Sequence, residues 1–416
     1  MTKFVHTIII AGALASASAL AFSCMKAGSA ASFDSRGGAY PMDAEAAYSD
    51  GGNGQGGGDA SGIVTAGEWN DLDNWKFWSK LAEGDFKDMT GDWGFYTDGR
   101  VAVKAVDEDG VPVCGAKVEL LRDGSAIWTT KTDNHGRAEC WTGLYDGKYA
   151  SSGLSLAIAG KTMEEIPAVT WFQDDEVKTN VYTISPISTQ YAADIAFIVD
   201  ATGSMADEIM FLKSDMVSII KKVMESQSGM KIRTGAVFYR DEGDDYLTRT
   251  SNFNDELSVT RDFIEAQNAD GGGDYPEAVH SALEASIQEL SWSSEAMTRL
   301  AFMLLDAPAH DDPAIIESLH KSIRIYAQNG IKLIPISASG IEKSTEALLR
   351  MFSIATNATY VFITNDSGVG NDHIEASVGD YQVEKLNDLI IRLINYYTET
   401  PAAEQPSSGS QEEPAQ

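Results

Sequence analysis

Ile195-Ala-Phe-Ile-Val-Asp-Ala-Thr-Gly-Ser204 is the stretch on which the fold of this 416-residue chain turns. Its first half is an apolar run with no polar break, the pattern of a strand buried on both faces. Its second half, Asp200 to Ser204, places one carboxylate and two hydroxyls on a tight turn as the chain leaves that strand. Hard oxygen donors of this kind suit Mg²⁺, Mn²⁺ or Ca²⁺, so the turn predicts metal-dependent binding and not catalysis.

Strand and helix patterns alternate around this stretch from about Ser188 to Glu399. Apolar strands are expected at Asp194–Val199, Ile232–Tyr239, Leu300–Leu305, Ile331–Ile336 and Thr359–Ile363. Met205, Ile209, Leu212, Met216, Ile219 and Val223 recur at three- and four-residue steps, which predicts a helix directly after the turn. A last helix is expected at about Val383–Tyr397, with Leu386, Leu389, Ile390, Leu393 and Ile394 on one side. The order predicts an α/β fold with a doubly wound, mostly parallel sheet. Ligands of such sheets bind beyond the carboxyl ends of the strands, where the strand order reverses. Asp200 and Asp306 each end an apolar strand and belong at that rim.

Asp200-Ala-Thr-Gly-Ser-Met205, with Leu304-Leu-Asp306 as a later acidic loop, resembles the metal-ion-dependent adhesion site of von Willebrand factor type A domains. The first loop of that site reads Asp-x-Ser/Thr-x-Ser, and the resemblance covers about half the chain. It implies that Thr202 and Ser204 ligate a divalent cation through their hydroxyls. Asp200 and Asp306 act directly or through water, and an Asp or Glu of a protein partner fills the open position. Mg²⁺ is the first choice of ion, with Ca²⁺ or Mn²⁺ as alternatives. Many such domains carry a Thr in the middle loop. Here that loop is Gly271-Gly-Gly-Asp-Tyr-Pro-Glu277, which resembles the Asp-x-Pro-Glu segment of integrin β subunits. Asp274 or Glu277 then replaces the Thr, with Asp274 slightly favoured; Asp274 also suits the cap of a helix with Pro276 at its first position. Asp207 and Glu208 stand where integrin β subunits hold a second cation, but carboxylates in the first turn of a helix are favoured by its dipole alone. The family also implies that filling the site shifts the last helix.

Acidic residues outnumber basic ones 62 to 31, a formal net charge of −31, which argues against nucleic acid or anionic membrane surfaces as partners. The cluster Asp241-Glu-Gly-Asp-Asp245 reads as a solvated loop near the rim and a place for partner contact. His310-Asp-Asp-Pro313 invites a hydrolase reading with His310 as base, yet no nucleophile is paired with it. The other five His lack zinc spacing, and neither a phosphate loop nor a nucleophile elbow is present. A non-enzymatic binding module is expected; the alternatives are a metal-assisted hydrolase of the envelope and a stalk protein with a vestigial site.

The rest of the chain concerns delivery. Residues 1–23 read as an export signal, with Lys3 before an apolar stretch from Ile8 to Phe22. Leu20-Ala-Phe-Ser-Cys24 resembles a bacterial lipoprotein box, which implies lipidation of Cys24, a membrane anchor and an outer-membrane lipoprotein. Cleavage near Gly28-Ser-Ala30 and a soluble secreted protein is the alternative. Residues 24–66 read as a Gly-rich tether and 67–98 as a Trp-rich amphipathic segment whose apolar face docks on the next domain. Residues 99–186 show short alternating runs divided by Asp-Gly turns, which predicts a small β-sandwich, similar to the regulatory-type domains of carboxypeptidases. The α/β domain follows over 187–399, and 400–416 is a Pro- and Glu-rich tail expected to be disordered. Export leaves Cys114 and Cys140 either as a disulfide or as two thiols in neighbouring strands.

Overall fold

The computed structural model describes residues 64–149, 151–273, 275–338, 340–364 and 375–399. The expected signal, Cys24, nearly all of the tether, Asp274 and the tail lie outside the described residues. The described chain begins with β1 (Thr65–Trp69), α1 (Trp75–Glu83) and α2 (Lys87–Asp92). Seven strands follow: β2 (Arg100–Val106), β3 (Lys117–Arg122), β4 (Ser125–Lys131), β5 (Arg137–Trp141), β6 (Leu154–Ile158), β7 (Lys161–Thr162) and β8 (Thr179–Thr183). They form a three-stranded sheet, β5-β2-β8, and a four-stranded sheet, β4-β3-β6-β7. Inward residues such as Val101, Val103, Val118, Leu120, Trp128 and Leu156 are buried, as alternation demands of two stacked sheets.

The α/β part runs β9 (Gln190–Asp200), α3 (Ala206–Ser226), β10 (Lys231–Tyr239), β11 (Thr248–Asn254), α4 (Leu257–Glu265), α5 (Val279–Gln288) and β12 (Ala296–Leu305). It continues with α6 (Pro313–Asn329), β13 (Lys332–Ser337), α7 (Lys343–Ala355), β14 (Tyr360–Ile363), β15 (Glu384–Lys385) and α8 (Leu386–Thr398). Its sheet has the order β11-β10-β9-β12-β13-β14-β1-β15. The pairs from β10 through β14 are parallel, and β11, β1 and β15 join antiparallel at the two sides. Ile195 to Val199 are all buried, because α3 and α8 cover one face of β9 while α5 lies on the other. The helix stripe read from the sequence is the buried one: Ile209, Leu212, Met216, Ile219 and Val223 face the sheet. Sharp ends follow from local chemistry. Pro313 opens α6 behind Asp312, and Gly330 closes it at φ 65°, its N–H returning to Tyr326 and Ala327.

The Trp-rich stretch corrects one expectation. Glu68 and Trp69 end a strand, β1, that pairs with β14 in the α/β sheet, so that sheet is not confined to residues 187–399 and its first strand starts inside the expected tether. The helix begins only at Trp75. Its docking does follow the amphipathic reading: Trp75 packs on Trp141 and Phe172 of the sandwich, and Trp78 is fully buried under Arg350 of α7. Arg350 grips Asp71 with two bonds of 2.6 and 2.9 Å and reaches Glu346 at 3.2 Å. The sandwich joins through the same core, with Lys332 bonded to Asp133 at 3.1 Å and Arg324 lying over Trp128. No helix among the described residues is long and apolar enough to cross a membrane.

Candidate metal centre at the sheet rim

Strand order reverses between β9 and β12, and Asp200 and Asp306 leave these two neighbours at the same end. That is the crevice where an open α/β sheet binds ligands. Asp200 is fully buried. Its Oδ1 accepts the Thr202 N–H at 2.9 Å and the Thr202 hydroxyl at 2.7 Å, which closes the turn through the side chain itself. The Thr202 and Ser204 hydroxyls lie 3.5 Å apart, and burial raises the Asp306 carboxyl against a hydrogen bond with Ser204.

The middle loop folds over this turn. The Asp270 N–H donates to Ala201 O at 3.0 Å, and the Gly203 N–H to Gly271 O at 3.2 Å. Gly271 and Gly272 have φ of 81° and 77°, a backbone that side chains resist. A Cβ on Gly272 would stand 3.2 Å from both Thr202 Cβ and Glu277 Oε1, so only glycine lets the loop lie this close. Glu277 is buried and held from the other side, its N–H donating to Pro308 O at 2.9 Å. Arg240 stitches the loops together by donating to Ala201 O at 3.1 Å and Asn268 O at 2.9 Å. His310 bonds Asp241 at 2.9 Å, and Asp244 accepts the N–H groups of Asp241 and Gly272.

What this scaffold encloses is a set of carboxyl groups that burial and mutual repulsion push toward their neutral forms. Oδ2 of Asp200, Oε2 of Glu277 and Oδ1 of Asp306 are buried with no hydrogen-bond partner. Burial, then the Asp306 charge, pushes Asp200 up to about 7 against the bonds from Thr202 and the nearby Tyr239 hydroxyl. Burial first and then Asp200, Asp241, Asp306 and Asp244 push Glu277 up to about 9. Burial also raises the Tyr239 hydroxyl, with the same three carboxylates adding to it. Native proteins seldom leave buried acceptors unpaired, and a cation is the usual remedy where several converge. Among the described residues no three His, Cys, Asp or Glu side chains close into a cage. The donors fit a hard divalent ion as a mixed set in which hydroxyls and water share the shell with carboxylates.

Of the residues singled out in the sequence, Asp200, Thr202, Ser204, Asp306 and Glu277 are brought together, while Asp274 lies outside the described residues. Asp207 and Glu208 part company: Asp207 is exposed, and Glu208 is buried beside a small apolar cavity lined by Val64, Phe211, Leu304, Ile363 and Leu386. They do not form a second acidic pocket. The disulfide alternative also gives way, since both cysteines are free. Cys140 points into the sandwich core, where burial raises its thiol well above the usual value, and Cys114 lies against Met297 O at 3.3 Å. Asp241 and Asp244 belong to the acidic cluster read as lying near the rim, whereas Tyr239 and Arg240 were not anticipated; their only sequence signal is their place at the end of β10.

Residues 194–370 match the von Willebrand factor A domain. An alpha-protein kinase, vwkA, of Dictyostelium discoideum is 31% identical over 190 residues, 45% of this chain and 28% of the kinase. A putative ariadne-like RING finger protein, R811, of Acanthamoeba polyphaga mimivirus is 27% identical over 124 residues, 30% of this chain and 12% of that protein. The chain thus spans under a third of the length of either relative. Among solved structures, a conserved hypothetical protein, BatB, from Bacteroides thetaiotaomicron aligns with a TM-score of 0.33 and 11% identity, over 49% of this chain and 98% of its own. The von Willebrand factor A domain is generally a protein-interaction and adhesion module. The sheet order and the Asp-x-Thr-x-Ser turn agree with that match, so residues 194–370 of this chain are a von Willebrand factor A-type domain.

Proposed function

We propose that this protein binds a protein partner through a divalent cation held at the rim by Thr202 and Ser204, with Asp200, Asp306 and Glu277 as direct or water-bridged carboxylates. The observation that carries this reading is a set of three buried carboxyl groups at one rim, near enough to act on one another and each with an oxygen that lacks a partner. A bound ion supplies one thing here, an acceptor for an oxygen donor of the partner, with an Asp or Glu side chain as the first choice. The chain's own residues do the rest. Thr202 fixes the Asp200 carboxylate, Gly271 and Gly272 let the middle loop close over it, and Arg240 holds the two loops in register.

The role is binding and not turnover. His310 is tied to Asp241, and its geometry serves to link two loops. The export signal and Cys24 support a lipid-anchored place in a bacterial envelope, where the sandwich acts as a mount for the binding domain. Isothermal titration of the EDTA-stripped protein with Mg²⁺, Ca²⁺ and Mn²⁺ tests the metal. One site lost in Asp200→Ala, with unchanged circular dichroism, is the expected result. Uptake that survives Asp200→Ala, or none for any of the three ions, sinks the reading.

A further inference from the structure

The rim is far more acidic than the rest of the chain. In the four loops 200–205, 240–247, 268–277 and 306–312 the sequence holds eleven Asp or Glu against one basic residue, Arg240, while the whole chain has 62 against 31. Arg240 is buried and spent on Ala201 O and Asn268 O. Lys213, which reaches this edge from α3, is held by Asn268 at 3.3 Å. Glu242, Asp245, Asp270, Asp311 and Asp312 stand exposed around the three buried carboxylates whose unpaired oxygens point to a cation. One divalent ion brings two positive charges and cannot reverse a field of that size. Leu247 and Tyr275 are large, partly exposed side chains in the same loops, and the Tyr275 hydroxyl accepts the Glu342 N–H at 3.0 Å. A fixed aromatic beside charged neighbours is the kind of anchor that interfaces use.

We infer that the partner of this rim is a basic protein surface, a Lys- and Arg-rich patch around the one oxygen donor that reaches the ion. The inference rests on the metal reading above and deepens it. A lone acidic group would enter an uncompensated negative field, where like-charge approach slows encounter and disfavours the wrong partner. Flanking cations remove that barrier and steer association, and they pair with exposed acids that have no hydrogen bond or ion pair among the described residues, Glu242, Asp245 and Asp311.

Two peptides serve as probes, Lys-Lys-Gly-Glu-Gly-Lys-Lys and Asp-Asp-Gly-Glu-Gly-Asp-Asp, titrated into the full chain saturated with Mg²⁺. The basic peptide is expected to bind at least about ten-fold more tightly and to lose that advantage at high salt, while EDTA weakens both peptides by removing the contact between their Glu and the ion. The rim variant Glu242→Gln/Asp245→Asn/Asp311→Asn should weaken it by about ten-fold with Mg²⁺ uptake retained. A control of the same charge change on α1, α2 and the turn between them, Glu83→Gln/Asp85→Asn/Asp88→Asn, should leave it within about two-fold, as charges outside the rim loops are screened. Equal binding of the acidic peptide, or equal losses in rim and control variants, overturns the inference. Calorimetry with Mg²⁺ alone keeps the two failures apart: no uptake removes the metal reading, and uptake without a preference for the basic peptide removes only the basic partner.

Discussion

Replacing Asp200 by Asn should stabilise the metal-free protein at neutral and alkaline pH while abolishing cation binding. Asn keeps an Oδ1 that can accept both bonds from Thr202, now 2.9 and 2.7 Å, so the turn survives. What it removes is a charge crowded by Asp306 and stripped of water. Asp200 titrates at about 7 in the fold against 3.8 in an open chain. A raised carboxylate pKa means the folded state holds a proton that the unfolded state has already lost. Stability is therefore full below the unfolded value and falls as pH rises toward 7. The gap of about three units sets an upper scale of ~4 kcal/mol, and coupling with Glu277 spreads part of it toward pH 9. In EDTA, urea denaturation at pH 8 should show Asp200→Asn more stable than the parent by ~1–4 kcal/mol, with the difference closing by about pH 4. Mg²⁺ at a thousand times Kd should bring the parent level with the variant or above it, since binding then adds ~4.1 kcal/mol to the parent alone. A variant less stable than the parent in EDTA at pH 8 would falsify the claim that uncompensated charge is stored here.

Other expectations concern parts of the scaffold. Gly272→Ala puts a Cβ 3.2 Å from Thr202 and Glu277 at φ 77°, so it should cost ~1 kcal/mol and weaken cation uptake, read by calorimetry. Arg350→Met strips buried Asp71 of its cation and leaves Glu346 with Lys343 alone, and should lower stability by ~3 kcal/mol in the same denaturation assay. The thiols of Cys114 and Cys140 should both react with a maleimide once the protein is unfolded without reductant, and dithiothreitol should leave the melting temperature unchanged.

Most of the architecture was legible because burial leaves a strong imprint on residue pattern. The central strands read as apolar runs since helices cover both of their faces, and six of the seven sandwich strands read as alternation since only one face is buried. The parts that were not legible are edges and caps. β11, Thr-Arg-Thr-Ser-Asn-Phe-Asn, is a half-exposed edge strand whose polar composition resembles a loop. β1 is five residues long, and its membership depends on a partner, β14, nearly three hundred residues away. In the site, the Asp-x-Thr-x-Ser turn announces itself because it is local. Glu277 is harder: one carboxylate in an acidic loop looks like any other until the chain between Gly271 and Pro308 folds it under the first turn.

The rim can hold its repulsion only because the restraint comes from elsewhere in the fold. Asp200, Glu277 and Asp306 would separate if their loops were free, as like charges in a low dielectric repel strongly. Each loop is instead fixed by bonds that do not use the orphaned oxygens: Thr202 on Asp200, Pro308 O on the Glu277 backbone, Arg240 on Ala201 and Asn268, and His310 on Asp241. Behind them stand strands bound on both sides in a sheet that also shares its core with the sandwich. A shape of this kind is set before any ligand arrives, so an ion that enters gains interaction without ordering the loops first. That separation of scaffold from donor atoms is why Asp200→Asn can be expected to spare the fold and still empty the site.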